Sequence, residues 1–172
     1  MDVQTQFFTY GVDDSDKLNL SNGLSFGPIT LAYETYGNLN SEKSNAILIF
    51  HALSGSQHVT GYNSSVTSVG DKWTNECKTG WWNDFVGSKK IIDTDKFFVI
   101  CINYFGGCYG TTGPSSTCPK TNNPYGGTFP KFTFGDIVDS QIPLYDYLGI
   151  KKFNAVIGSS LGGMMALNFS TR

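Results

Sequence analysis

The first forty residues alternate short apolar stretches with glycine and asparagine, a pattern typical of antiparallel strands joined by turns. The stretch "QFFTY" and the stretches around "LNLSNGLSFG" predict an antiparallel hairpin. The next segment, "ITLAYETYG", is rich in threonine and tyrosine and ends at Gly37-Asn38. It therefore predicts a third β segment.

Three later segments are continuously apolar instead of alternating, namely "NAILIFH", "KFFVICIN" and "FNAVIG". Strands that are covered on both faces produce this pattern, so all three segments are predicted to be buried strands of a largely parallel sheet. The third of them, residues 153–158, is the last strand that the pattern predicts.

Helical periodicity occurs between and after these strands. The segment "GWWNDFVG" predicts a short helix, and "TFGDIVDSQIPLYDYLGI" predicts a longer amphipathic one. Thr133 and Asp136 have the spacing of a capping pair at the start of the longer helix. Pro143 lies inside that helix and costs ~3 kcal/mol unless a kink absorbs it. A last helix is predicted over Leu161–Phe169.

Strands that alternate with helices after an antiparallel start predict an α/β fold with a mixed sheet whose central strands are parallel. Two long segments rich in Gly, Ser, Thr and Asn, residues 52–79 and 104–132, are predicted to be loops. Loops of this length that leave strand ends often bind ligands, so a functional role is expected. The alternative for residues 59–76 is a surface insertion without function.

Composition narrows the function classes. The 172 residues suffice for one domain, and the net charge of −2 gives no electrostatic basis for binding nucleic acid or an anionic membrane surface. No apolar run approaches the ~20 residues of a membrane helix, and the start Met1-Asp2-Val3-Gln4 does not resemble a signal peptide. The four cysteines form no C-x-x-C pair, so a reducing, cytoplasmic location without a metal site is expected.

Candidate chemistry lies between the last strand and the last helix, where Gly158-Ser159-Ser160-Leu161-Gly162 forms a G-x-S-x-G pattern. In this context the pattern predicts a nucleophile elbow, with Ser160 on a sharp, strained turn. Chain segments are predicted to pass closely at this turn, which would explain the glycines at Gly158, Gly162 and Gly163. The helix N-terminus favours developing negative charge. The alternative is a glycine-rich turn without chemistry.

An elbow also needs two backbone N–H groups that bind the oxyanion of a tetrahedral intermediate. The amide of Leu161, directly after the serine, is one candidate. The amide of Leu53 is the other, because "FHALSGSQH" leaves a predicted central strand at the corresponding place. His51 and His58 are predicted to be structural residues that make backbone hydrogen bonds, since the base in this arrangement follows the serine along the chain.

With these residues assembled, the sequence resembles the homoserine O-acetyltransferase family of α/β-hydrolase-fold enzymes from about residue 30 onward. The resemblance implies an antiparallel start, then parallel central strands with helices on both faces. It also implies that residues 1–172 are the N-terminal half of a domain, ending after the elbow helix, without lid and C-terminal strands. The matching segments are "LAYETYGNLN", "AILIFHALSGS", "GWWNDFVG", "IDTDKFFVICIN", "GGCYGTTGPSS", "NPYGGTFP", "DIVDSQ", "LGI" and "IGSSLGGMMAL".

The resemblance implies a function in methionine biosynthesis. Ser160 would accept acetyl from the co-substrate acetyl-CoA and pass it to L-homoserine, with the Leu53 and Leu161 amides as oxyanion donors and with no bound cofactor. The family forms homodimers. No residue here matches its catalytic Asp and His, so the chain alone is expected to be inactive. The departures are Ser159, where the family usually has Gly, and Pro143, in a helix usually free of proline.

Three alternatives stay open at this point. The first is a sister acyltransferase with a succinyl donor or with serine or another alcohol as acceptor. The second is an esterase-like α/β hydrolase that uses water, although the "GTTGPSS" and "GWW" segments count against it. The third is a non-catalytic remnant or binding module that keeps the first half of the fold.

Overall fold

A computed structural model describes all residues from Met1 to Arg172. The chain forms nine strands and two α-helices, with four single 3-10 turns in the loops. The strands are β1 (Gln6–Tyr10), β2 (Leu18–Asn19), β3 (Ser25–Phe26), β4 (Ile29–Tyr36), β5 (Ala46–Phe50), β6 (Val86–Gly87), β7 (Ile92–Asp93), β8 (Phe98–Ile102) and β9 (Ala155–Gly158). The helices are α1 (Phe134–Leu148) and α2 (Leu161–Phe169).

Five strands form the main sheet, in the order β1-β4-β8-β5-β9. The first two pairings, β1 with β4 and β4 with β8, are antiparallel, whereas β5 pairs in parallel with both β8 and β9. The prediction of an α/β fold with an antiparallel start and parallel central strands is therefore confirmed. Two small two-stranded sheets, β2-β3 and β6-β7, lie outside the main sheet.

The predicted hairpin between "QFFTY" and the next segment is wrong in its pairing. All five residues of β1 pair with β4, from Gln6 opposite Tyr33 to Tyr10 opposite Ile29. Only the short β2 and β3 form a local hairpin. These two strands have two residues each, whereas β4 has eight and offers β1 a partner along its whole length.

The central strands β5 and β8 are buried at every position, as their apolar sequences predict. The third apolar run differs, because all four residues of β9 are only partly buried. The reason is its place in the sheet: β9 lies at the edge and pairs with β5 alone. The prediction that residues 153–158 form a strand is confirmed, and the prediction that the strand is buried is wrong.

Alternate residues of the sheet face two separate apolar cores. On one face Leu48 and Ile100 pack against α1 and α2, through residues such as Leu144 and Met165. On the other face Ile49 and the remaining odd-numbered residues of the central strands pack against the segment between β5 and β8. The predicted arrangement with helices on both faces is thus wrong for this chain, since both α-helices cover the same face.

The second face lacks a helix because "GWWNDFVG" forms turns and then the short strand β6. The amide of Trp81 donates to the carbonyl of His58 at 3.3 Å, and that of Trp82 donates to Val59 at 2.8 Å. The local bonds stop after one turn, with the amides of Phe85 and Val86 both donating to the Trp82 carbonyl, and the chain then enters β6. Both indole side chains pack against the second core instead, so the predicted short helix is wrong.

Helix α1 begins as predicted. The Thr133 hydroxyl accepts from the Asp136 amide, and the Asp136 carboxylate accepts from the Thr133 amide at 2.7 Å, which completes a capping box. Pro143 lies within the continuous helix. The helix ends at Gly149, whose φ of 72° is the left-handed conformation common at helix C-termini. Neither α-helix has the length and apolar character that crossing a membrane requires.

Candidate active site

Ser160 lies between β9 and α2 with φ 54° and ψ −126°, backbone angles that L-residues rarely adopt. Its side chain is exposed and makes no hydrogen bond within the chain. The strained strand–turn–helix geometry predicted from the G-x-S-x-G pattern is therefore present. Ser159, the other hydroxyl of the turn, is not among the residues with a positive φ.

Two glycines make this turn possible by letting backbone segments touch. A Cβ atom on Gly158 would lie 2.1 Å from the carbonyl oxygen of Gly162, and a Cβ atom on Gly162 would lie 2.2 Å from the carbonyl oxygen of Phe50. Gly163 differs, since the nearest atom to its Cβ would be the Gly158 oxygen at an ordinary 3.5 Å. The expected crowding is confirmed at Gly158 and Gly162 and is wrong for Gly163.

The loop that follows β5 (residues 51–58, here the β5 loop) holds the second predicted donor. Its tip is a turn in which the amide of Gly55 donates to the carbonyl of Ala52 at 2.9 Å. Leu53 lies in this turn with its side chain 80% exposed. Neither the Leu53 amide nor the Leu161 amide has a hydrogen-bond acceptor within the chain, so both N–H groups are available to a ligand.

The sheet brings these two loops side by side. Phe50, the last residue of β5, is the parallel partner of Gly158, the last residue of β9. The β5 loop and the elbow therefore leave the same edge of the sheet from neighbouring strands. Gly162 packs directly against the carbonyl groups of Phe50 and His51, which joins the start of α2 to the start of the β5 loop.

His51 is a buried residue at the start of the β5 loop. Its Nδ1 lies 2.7 Å from the carbonyl oxygen of Ala52, and because a carbonyl can only accept, Nδ1 carries the proton. The ring stacks on Tyr104 with centroids 3.8 Å apart, and the Tyr104 hydroxyl donates to the His51 carbonyl. Burial lowers the pKa of His51 to about 4. The predicted backbone hydrogen bond is confirmed, and the neutral ring braces the loop.

The lowered pKa of His51 predicts an acid-dependent loss of stability. The unfolded chain takes up a proton near the ordinary value of 6.5, whereas the folded ring stays neutral down to about 4. Stability is therefore complete above pH 6.5 and falls as the pH drops toward 4, by on the order of 3 kcal/mol. Denaturant unfolding across this range should show that His51→Phe, which keeps an aromatic ring on Tyr104, loses less stability with acid than the wild type. Equal slopes would contradict the prediction.

His58 makes the predicted backbone contact and a second one that the sequence did not reveal. Its Nε2 lies 3.1 Å from the Lys78 carbonyl oxygen, and its Nδ1 lies 2.7 Å from the carboxylate of Glu34. Both side chains are buried. Burial raises the pKa of Glu34, but hydrogen bonds from His58, Tyr36 and Thr5 outweigh it and leave that pKa below its ordinary value. The feature of the sequence that points to this contact is Glu34 itself, one acidic residue in the otherwise uncharged strand β4.

An amide N–H without an acceptor can stabilise negative charge that develops near it, and the chain has two such groups, those of Leu53 and Leu161, at the edge of the sheet where Ser160 lies. The amide of Leu161 is also at the N-terminus of α2, where the helix dipole favours an anion. Neither histidine is hydrogen-bonded to Ser160, since the polar contacts of both go to other groups. The chain contains no cluster of three or more His, Cys, Asp or Glu side chains that could hold a metal ion.

Comparison with known sequences identifies a matching fold family and several relatives of this chain. Residues 45–172 match the family model described as the alpha/beta hydrolase fold. The homoserine O-acetyltransferase of Deferribacter desulfuricans is 49% identical over 98% of this chain, and that of Desulfotalea psychrophila is 51% identical over 99%. The matched regions are 41% and 42% of those proteins, so the chain spans about two fifths of the length of these curated relatives.

Solved structures with the same fold include an acyltransferase and an esterase. The homoserine O-acetyltransferase from Bacillus anthracis superimposes with a TM-score of 0.84 at 34% identity, covering 100% of this chain and 44% of that one. Esterase E22 superimposes with a TM-score of 0.81 at 35% identity, covering 96% of this chain and 43% of that one.

Proposed function

Because the chain belongs to the α/β-hydrolase fold family, we propose that residues 1–172 form the amino-terminal part of one α/β-hydrolase domain in a homoserine O-acetyltransferase. The observation that carries the proposal is the 49% identity to such an enzyme over 98% of this chain. Three features of the site support it: the exposed, strained Ser160, the adjacent Leu161 amide, and the Leu53 amide on the loop that leaves the neighbouring strand.

In the proposed reaction, the Oγ of Ser160 attacks the thioester carbonyl of acetyl-CoA. The amides of Leu53 and Leu161 donate to the oxygen that becomes negatively charged in the tetrahedral intermediate. The C–S bond then breaks, and coenzyme A leaves as the thiol with the proton that Ser160 gave up. The acetyl ester on Ser160 is next attacked by the hydroxyl of L-homoserine, which yields O-acetylhomoserine and the free serine.

Both steps need a general base that takes and returns the proton, because a serine hydroxyl alone is a poor nucleophile. We place this base and its orienting carboxylate outside residues 1–172, since the relatives are more than twice as long as the matched region. Residues 1–172 alone are accordingly proposed to be inactive. Methionine biosynthesis, a cytoplasmic location and a homodimer belong to the same proposal. In this proposal acetyl-CoA is a co-substrate and not a bound cofactor.

A second candidate function is hydrolysis of acetyl esters, favoured by the similarity to esterase E22. The two functions share Ser160 and both oxyanion donors, and they differ in the group that attacks the acetyl-enzyme. Water would attack in the esterase, and the homoserine hydroxyl would attack in the transferase. The acceptor is therefore the property to measure.

The test is to incubate the intact polypeptide that carries residues 1–172 with acetyl-CoA and to analyse its peptides by mass spectrometry. We expect one added acetyl group on the peptide that contains Ser160, and we expect L-homoserine to remove it as O-acetylhomoserine. Loss of the acetyl group to water at the same rate with and without homoserine would favour the esterase. Faster labelling by succinyl-CoA would overturn the choice of donor.

A further inference from the structure

Glu34 and His58 form a buried pair, and both side chains make further hydrogen-bonding contacts. Nε2 of His58 faces the Lys78 carbonyl oxygen and Nδ1 faces a Glu34 carboxylate oxygen, at 3.1 and 2.7 Å. The carboxylate also accepts three more hydrogen bonds, from the Tyr36 hydroxyl at 2.6 Å, the Thr5 hydroxyl at 2.7 Å and the Asn63 amide at 2.9 Å. Four hydrogen-bond donors favour an ionised Glu34 carboxylate and leave the pKa of Glu34 below its ordinary value.

The pair joins segments that are distant in the sequence. Glu34 and Tyr36 are on β4, and His58 ends the β5 loop. The side chains of both members of the pair are at most 1% exposed. A buried ion pair contributes little net stability, but removing one partner leaves an uncompensated charge. The pair therefore ties β4 to the end of the β5 loop.

The pair holds residues 56–59, which are the end of the β5 loop and the residue after it and are here called the descending arm. The Val59 amide donates to the Tyr36 hydroxyl at 2.8 Å, and that hydroxyl donates to Glu34. The Trp81 indole N–H donates to the Ser56 carbonyl at 3.0 Å. Tyr36, Val59 and Trp81 all pack in the second core.

Leu53 lies between two anchored arms. The ascending arm, residues 51 and 52, is fixed by the stacking of His51 on Tyr104. The descending arm is fixed by the hydrogen bonds from His58 to Glu34 and from Val59 to Tyr36. The tip has two hydrogen bonds, both to the Ala52 carbonyl, one from the Gly55 amide and one from the His51 ring, and neither involves Leu53. The direction of the Leu53 N–H therefore depends on where the two arms are held.

We propose that Glu34 is a positioning residue for the oxyanion site: hydrogen-bonded to the His58 ring, it fixes the descending arm of the β5 loop and thereby aims the Leu53 N–H. The inference rests on the proposed function, because it takes Leu53 as an oxyanion donor. It adds a residue on β4 that touches no substrate and acts through the loop.

The kinetic test uses the intact polypeptide with acetyl-CoA and L-homoserine. Glu34→Ala should lower kcat about 100-fold with KM for acetyl-CoA nearly unchanged, because a misplaced donor weakens transition-state binding above all. Glu34→Gln should restore most of the rate, since its amide can donate to a neutral His58 and its oxygen can accept from Thr5 and Asn63. Tyr36→Phe removes only the hydroxyl between Glu34 and Val59, and it should lower kcat about tenfold in a protein that stays folded.

The control variant is Asp136→Ala, which removes a different buried carboxylate that accepts from Thr133 and Ser21 at the start of α1. It should lower the melting temperature as Glu34→Ala does, and it should leave kcat unchanged. A wild-type kcat in folded Glu34→Ala or in Tyr36→Phe would overturn the positioning role. An equal loss of kcat in Asp136→Ala would overturn it as well, because the loss would then follow stability alone.

A second measurement does not depend on catalysis. Nitrogen-15 NMR of the wild-type imidazole should show a proton on Nδ1 of His58, and an unprotonated Nδ1 would overturn its hydrogen bond to the Glu34 carboxylate. Relaxation of the Leu53 amide should show added motion in Tyr36→Phe, and unchanged motion would overturn the positioning role. If the wild type forms no acetyl-Ser160, the proposed function fails, while these NMR results still decide the role of Glu34.

Discussion

Replacing Ser160 by alanine should lower acetyl transfer by the intact polypeptide by on the order of 10⁴-fold or more. The alanine variant keeps the fold and both oxyanion amides, but it has no oxygen on which an acetyl group can be carried. The covalent intermediate is therefore lost, and with it both half-reactions. Release of coenzyme A in a single turnover, together with mass spectrometry of the elbow peptide, measures the effect.

The adjacent Ser159→Ala variant is the matched control. Ser159 has the same side chain one position earlier and is likewise exposed, but it does not have the strained backbone of Ser160. We expect Ser159→Ala to change the rate by less than about threefold, since a surface hydroxyl away from the reacting atoms contributes little. A large loss in Ser159→Ala with activity retained in Ser160→Ala would reverse the assignment of the nucleophile.

Replacing Gly162 by alanine should destabilise the protein by about 3 kcal/mol. The added methyl group would lie 2.2 Å from the Phe50 carbonyl oxygen and 2.8 Å from that of His51. Neither atom belongs to a flexible side chain, so α2 or β5 has to move. Either movement separates the elbow from the β5 loop. Denaturant unfolding of the intact polypeptide gives the stability, and the rate of Ser160 acetylation gives the effect on the site.

Gly163→Ala is the control for this substitution, because it places the same methyl group one position further along α2. Its nearest contact would be an ordinary 3.5 Å, and alanine is a better helix former than glycine. We expect Gly163→Ala to stabilise the protein by about 0.5–1 kcal/mol. Equal destabilisation by the two variants would show that general crowding of the helix, and not the contact with Phe50, decides the result.

The parts of the fold that depend on local pattern were predictable from the sequence. Continuous apolar runs located β5 and β8, and helical periodicity with the Thr133 cap located α1. The errors concern pairings between distant segments. Neither the preference of β1 for β4 nor the bonds that draw Trp81 and Trp82 to the β5 loop is encoded in a short window. The placement of both helices on one face follows from the same long-range contacts.

In the candidate site, too, a local pattern predicts some features, whereas others depend on contacts between distant segments. The strain at Ser160 follows from a local pattern, because only small neighbours permit so tight a turn. The need for glycine at 163 was overestimated, since the pattern cannot distinguish a glycine in close contact from one with room. The hydrogen bonds of Glu34 could not be predicted, because its four donors come from residues 5, 36, 58 and 63, which only the folded chain brings together.

The contact between Gly162 and Phe50 also determines at which stage of folding the strained turn at Ser160 can form. The unfavourable φ of Ser160 is held by packing that exists only after β9 has paired with β5, which joins residue 47 to residue 155. Pairings between such distant segments form late, because the intervening chain must first lose its freedom. The strained turn at Ser160 therefore requires the completed sheet, and a chain in which β9 has not paired with β5 lacks the packing that holds it.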